Sequence, residues 1–223
     1  MSRSGSVPSE PRELADLPFA GALVPHAGGL AEDAVYDTVH FEATDFDGPQ
    51  ASSARFLECA FTRVTLQGGR LRRCRFTDVW LKDIRMTLTD LAETQWADAT
   101  FSGGSLAGLE AFGTRLDRVV FAGCKLDSVN FRDAELTGVT FRDCLLRDVD
   151  FGGATLRRTA FSGSRLTGVD VSRATLDQVD LRGAELGLII GPDALRGAII
   201  SSGQLATIAP MLAQTLGIVV DDG

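Results

Sequence analysis

The sequence has little with which to do acid–base chemistry: two histidines and one tyrosine among 223 residues. It has no apolar run approaching the ~18 residues that a membrane-spanning helix needs, which excludes an integral helical membrane protein. The opening Met1-Ser2-Arg3-Ser4-Gly5-Ser6-Val7-Pro8 lacks an apolar run of signal-peptide type, so a cytoplasmic location is expected. Basic charge is not in excess either. The chain carries 30 acidic and 22 basic side chains, net −8, which disfavours direct binding to nucleic acid or anionic lipid. No Gly-rich phosphate loop is present, and neither His26 nor His40 has a partner at metal-ligand or triad spacing. These absences predict a protein that is not an enzyme and holds no cofactor or metal.

What the sequence does have is a five-residue period. From Phe41 to Leu186 every fifth residue is apolar, thirty positions without an insertion, and eleven of the thirteen phenylalanines lie in this register. Neither 3.6 nor 2 divides five, so no ordinary helix or flat strand accounts for it. Two residues before each centre stands a second uncharged position, mostly small, as at Val64, Cys74, Val79, Ala99, Val119 and Ala134. All forty charges between residues 39 and 188 fall in the other three slots. An unpaired charge is rare in a core, so the two charge-free slots point inward and the other three outward.

Pentads such as Ala134-Glu135-Leu136-Thr137-Gly138, Val129-Asn130-Phe131-Arg132-Asp133 and Val179-Asp180-Leu181-Arg182-Gly183 carry a likeness. On these motifs the chain resembles the pentapeptide repeat family, including its actinobacterial-type members. The resemblance covers residues 39–188 and implies an all-β solenoid, a right-handed quadrilateral β-helix in which four pentads close one coil. Sorting the centres by twenties then gives four interior columns. One is nearly all Phe (Phe41, Phe61, Leu81, Phe101, Phe121, Phe141, Phe161, Leu181) and another mostly Leu. Stacked like residues suit a solenoid whose coils touch only their neighbours. Cys59, Cys74, Cys124 and Cys144 all occupy the inward small slot, where cysteine acts as an apolar filler, and their spacing matches no zinc pattern.

Three stretches depart from the motif: 47–53, with Pro49 and Ala51; 86–96, with Thr89, Thr94 and Trp96; and 104–113, where Leu109 and Ala111 invert the usual order. Each either repacks inside an intact coil or protrudes. The segments outside the repeat divide into a disordered tail (1–17), a capping segment (18–38), and a C-terminal cap (189–223) with a turn at Gly191-Pro192-Asp193. In that cap Leu205, Ile208, Leu212 and Leu216 recur at helical spacing, and Ser201 with Gln204 fits a capping box. Pro210 predicts a kink or two short helices, and Ile218-Val219-Val220 a final strand. The helix serves as a lid over the open end of the rod. The alternative is a homodimer contact, which the resemblance to topoisomerase-protecting members also implies.

Outward apolar residues mark the candidate partner surface. Ala60, Trp80, Val120 and Ala160 share one column and would form a docking strip, while Phe112 and Leu145 stand out on two other faces. Asp90, Glu110, Asp150 and Asp170 make one outward column acidic, and Arg70, Arg72, Arg73 and Arg75 cluster on the body. The expected function is a rigid surface for binding another protein. The alternative comes from the resemblance: some family members imitate duplex DNA, occupy DNA gyrase and protect it from quinolones. Charge weighs against it, because residues 39–188 carry 21 acidic and 19 basic side chains, leaving most of the net charge in the tails.

Overall fold

The computed structural model describes residues 11–189 and 195–219. It is a four-sided parallel β-solenoid of about eight turns, followed by one helix. Each side is built from strands one coil apart. The first face runs from Val39–Glu42 through Ala60–Thr62, Trp80–Lys82, Thr100–Ser102 and Val120–Ala122 to Thr140–Arg142, with the short strand Val24–Pro25 paired below it. The second face runs from Asp45–Asp47 to Glu185–Ile189, and the fourth from Val35–Asp37 to Thr175–Asp177, eight strands each. The third face is held by single-residue bridges, Gln50 to Arg70 to Asp90 to Glu110 to Asn130 to Asp150 to Asp170.

From Val35 to Thr167 strands of successive coils pair in a register of twenty residues, so Phe101 lies opposite Phe121 and Phe121 opposite Phe141. A strand spacing of about 4.8 Å then brings identical rings into van der Waals contact. Phe41 and Phe61 stack at 4.7 Å, Phe101 and Phe121 at 4.6 Å, and Phe121 and Phe141 at 4.9 Å. The fourth face has its own ladder, Tyr36 on Phe56 on Phe76 on Trp96, the last pair 3.7 Å apart. Tyr36 is therefore already a repeat centre, and the first coil opens one pentad before the predicted start at Val39.

Corners repeat with the same period. Every fifth residue from Asp33 to Gly183, two after each centre, has a left-handed backbone, and twenty of these residues are not glycine. Each left-handed L-residue costs roughly 1–2 kcal/mol. The bonds made there offset it: Asp78 N–H donates to Ala97 O of the next coil at 3.0 Å and Arg118 N–H to Thr137 O at 2.9 Å.

The irregular stretches repack and do not protrude. Ala51 stays buried with its N–H on Arg70 O at 2.9 Å. Thr94 and Thr114, in the small slot, share a hydroxyl hydrogen bond of 2.5 Å, and Trp96 Nε1–H donates to Thr94 Oγ1 at 3.1 Å. Around inward-facing Ala111 the small side chain leaves an internal void of about 30 Å³, lined by Trp96, Leu109 and Phe121 among others. The register departs from twenty at the ends, where Val24 pairs with Val39, a shift at Thr167/Val169 sets Val169 opposite Leu188, and Val179 pairs with Ala198; sequence periodicity did not signal these.

The ends differ most from expectation. Residues 1–10 of the predicted disordered tail and the turn at 191–193 lie outside the described residues. Residues 11–17 are ordered: single-turn 3-10 helices at Leu14–Asp16 and Ala20–Ala22 lay the segment against the first face. At the other end one helix, Ser202–Thr215, contains Pro210 without dividing into two. Residue 210 lies on the exposed side, where water reaches the backbone carbonyl the proline leaves free. The capping box of Ser201 and Gln204 forms as predicted. Ile218 is not in a strand: Gly217 N–H bonds Gln214 O and Ile218 N–H bonds Ala213 O, which closes the helix as a Schellman motif.

Candidate interaction surface

The predicted docking strip is covered. Ala60 and Trp80 are 0% and 3% exposed, because Leu17 and Phe19, with Leu14 and Leu23 beside them, form a separate small core over them. Val120 is buried as well, and Ala160 half-buried. An outward slot in the pentad is thus not the same as an exposed residue. The signal in the sequence was the tail itself, whose Leu14, Leu17 and Phe19 supply apolar partners for Trp80.

The acidic column on the third face is likewise only partly free. Asp90, Asp150 and Asp170 each accept a backbone N–H two residues on, from Ala92, Gly152 and Ser172, at 3.1, 2.7 and 2.7 Å. These are turn acceptors at the corner that follows. The second oxygens of two of them meet cations: Arg72 lies 3.6 Å from Asp90 and Arg132 2.9 Å from Asp150. Glu110 accepts from Asn130 Nδ2 at 2.7 Å. Phe112 lies on the same face, 42% exposed. The arginine cluster is divided, with Arg70 on the third face and Arg75 on the fourth, opposite Arg55.

The second face is open and carries a pattern that sequence reading touched only at Leu145. Its outward column reads Asp45, Thr65, Arg85, Ser105, Lys125, Leu145, Arg165, Glu185 in direct register, cationic in the middle and acidic at both ends. Leu145 is 46% exposed between two cations. Two shallow grooves of about 380 and 360 Å³ share Lys125; Leu145, Arg147 and Arg165 line one, Arg85, Gly103, Gly104 and Ser105 the other. Gly104 occupies an inward small slot, where a Cβ would press on Ile84 in the interior, and the short Ser105 side chain separates Arg85 from Lys125. Arg165 is bound to Glu185 at 2.5 Å and Arg147 to Asp127, which lowers both carboxyls below their usual range through the hydrogen-bonded guanidinium. Among the described residues Arg85 and Lys125 have no carboxylate within ion-pair distance. Alternation of a cation at every second coil was the legible clue.

The cysteines line the interior as free thiols. Burial pushes Cys59 up to about 11 and Cys74 up to about 12, and contact with Cys124, then burial, raises Cys144. Among the described residues no group of three or more His, Cys, Asp or Glu is placed to hold a metal ion, and no helix is long and apolar enough to cross a membrane. At the C-terminal helix only Ile208 of the predicted stripe is buried (4% exposed), while Leu205 and Leu216 are 49% and 64% exposed and Leu212 is half-buried. Gln204 provides the contact with the rod instead: its Nε2 donates to Leu181 O at 2.6 Å and Ala184 O at 2.8 Å, carbonyls of the last coil.

Two solved structures are similar to parts of this chain. QnrB1, a plasmid-mediated fluoroquinolone resistance protein, is 20% identical in a trypsin-treated variant and superposes with a TM-score of 0.41, covering 89% of this chain and 98% of its own. HetL, a pentapeptide repeat protein involved in heterocyst differentiation regulation in the cyanobacterium Nostoc, is 20% identical with a TM-score of 0.37, covering 79% and 93%. Among curated proteins none matches. Family models described as "Pentapeptide repeat region" and "Pentapeptide repeats (8 copies)" match residues 114–189 and 40–78, together about half of the chain. With its uninterrupted five-residue period and four-sided stack, this chain belongs to the pentapeptide repeat family.

Proposed function

We propose that the protein is a non-catalytic rod of the reducing cytoplasm that binds another protein through its second face. The observation that carries this reading is the open stretch of column in which Arg85 and Lys125 form no ion pair among the described residues, with Leu145 exposed beside them. The partner it fits has an acidic surface with an apolar recess for Leu145. Strands paired above and below fix the backbone that carries these side chains, so binding orders side chains and not main chain. A photo-crosslinker at position 145 tests the reading. It should capture a discrete partner in cells, and the double variant Arg85→Glu/Lys125→Glu should abolish that adduct. An adduct unchanged by the charge reversal would refute it.

The topoisomerase reading requires a continuous negative track like that of duplex DNA. The paired and turn-bound carboxylates of the third face favour the protein-binding rod over that reading. Gyrase supercoiling with and without ciprofloxacin separates the two. We expect neither inhibition nor protection at micromolar excess of protein.

A further inference from the structure

The segment over Trp80 is attached to the rod in an unusual way. From residue 12 to residue 23 its backbone bonds are local: Asp16 to Glu13, Leu17 to Leu14, Ala20 to Leu17 and Ala22 to Phe19. Strand pairing begins only at Val24. The segment is held by side chains instead. Trp80 Nε1–H donates to Arg12 O at 2.8 Å, Arg12 Nη2 donates back to Asp98 O at 2.6 Å, and Lys82 lies 3.8 Å from Glu13. Leu17 and Phe19 bury themselves against Ala60 and Trp80. Removing the segment would unpair no strand among the described residues, yet it would bare a tryptophan on a rod whose outward slots are otherwise mostly polar.

These are the contacts of a bound peptide. We infer that the first face around Ala60 and Trp80 is a peptide-recognition site, and that residues 12–19, Arg-Glu-Leu-Ala-Asp-Leu-Pro-Phe, are its resident and displaceable ligand. The ligand class follows from the geometry: an arginine to reach the Asp98 carbonyl, a backbone carbonyl at that residue for the indole N–H, and apolar side chains two, five and seven positions later. A segment of this pattern from a second copy or another protein competes for the same face. The inference is independent of the second-face reading, since the two surfaces lie on different sides.

The full chain tests it, with a protease site inserted between Leu23 and Val24 and cut after folding. The probe is a fluorescein-labelled peptide of residues 11–23. Nicked protein should take up the probe saturably, at least tenfold more tightly than uncut protein, and Phe19→Ala in the probe should weaken uptake at least tenfold. In uncut protein, Leu17→Ser/Phe19→Ser should open the site to the wild-type probe while the β-sheet circular dichroism is retained. Nicked, folded protein that excludes the probe would overturn the proposal, as would equal binding of the wild-type and Phe19→Ala probes. Loss of the fold on nicking would also overturn it, because the segment would then be a structural part and not a ligand.

Discussion

Cys59 and Cys74 sit in the wall of the rod with their thiols donating to Tyr36 O and Ala51 O at 3.4 and 2.9 Å. Burial raises both from the ordinary 9.0, so the neutral thiol is the form the folded chain favours. Their contribution to stability is complete below pH 9 and is lost as the pH climbs to about 11 and 12, because only the unfolded chain ionises freely there. The melting temperature should fall across that window, and less steeply in Cys59→Ala/Cys74→Ala. Thiol reagents at neutral pH should label the native protein far more slowly than the unfolded one. At Thr94 the expected effect is larger. Thr94→Val removes the acceptor of the buried Trp96 N–H and should cost about 1–3 kcal/mol in denaturant titration. Inward cysteines and threonines were legible from their slot in the pentad. The Thr94–Thr114–Trp96 network was not, because the period gives a column and not which hydroxyls meet within it.

Most strands here are three residues long and depend on what lies above and below them. The turns between them are the more demanding parts. Gly68 has φ +64° with open space where a Cβ would stand, so Gly68→Val isolates backbone strain and should cost about 1–2 kcal/mol. That non-glycine residues fill twenty corners explains why glycine alone marked the corners incompletely in the sequence. The C-terminal helix was legible through its capping box and its apolar spacing, but not its mode of attachment. Gln204 satisfies two carbonyls at the end of the stack, a role that helical periodicity cannot signal. Gln204→Ala should therefore lower the melting temperature more than Leu216→Ser does. Deleting residues 201–223 should lower it further. An unchanged melt accompanied by loss of a dimer in light scattering would instead assign the helix to self-association.

Taken end to end, the rod reads as four tracks whose character differs although their period is shared. The first is sheltered by the N-terminal segment, the second is open and carries cations in its middle coils between carboxylates at its ends, the third is largely tied up in turns and ion pairs, and the fourth backs the ladder from Tyr36 to Trp96. The repeat and its inward slots could be read directly, because burying a charge forbids the alternatives. Which outward track was open could not, because that depends on a tail reaching back across 68 residues from Arg12 to Trp80.

Four pentads close each circuit, so the chain counts in twenties. Excising residues 121–140 would shorten the rod by one layer and set Phe141 on Phe101, leaving all four tracks aligned. Excising only residues 121–125 would swing everything beyond them by a quarter turn, placing Leu126 on Phe101 and carrying Arg165 away from Arg85. The first deletion should give a folded protein with a modestly lower melting point, and the second a mismatched, unstable one. Length in such a rod can thus be gained or lost in whole circuits, while the direction in which each side chain faces survives only if that arithmetic is respected.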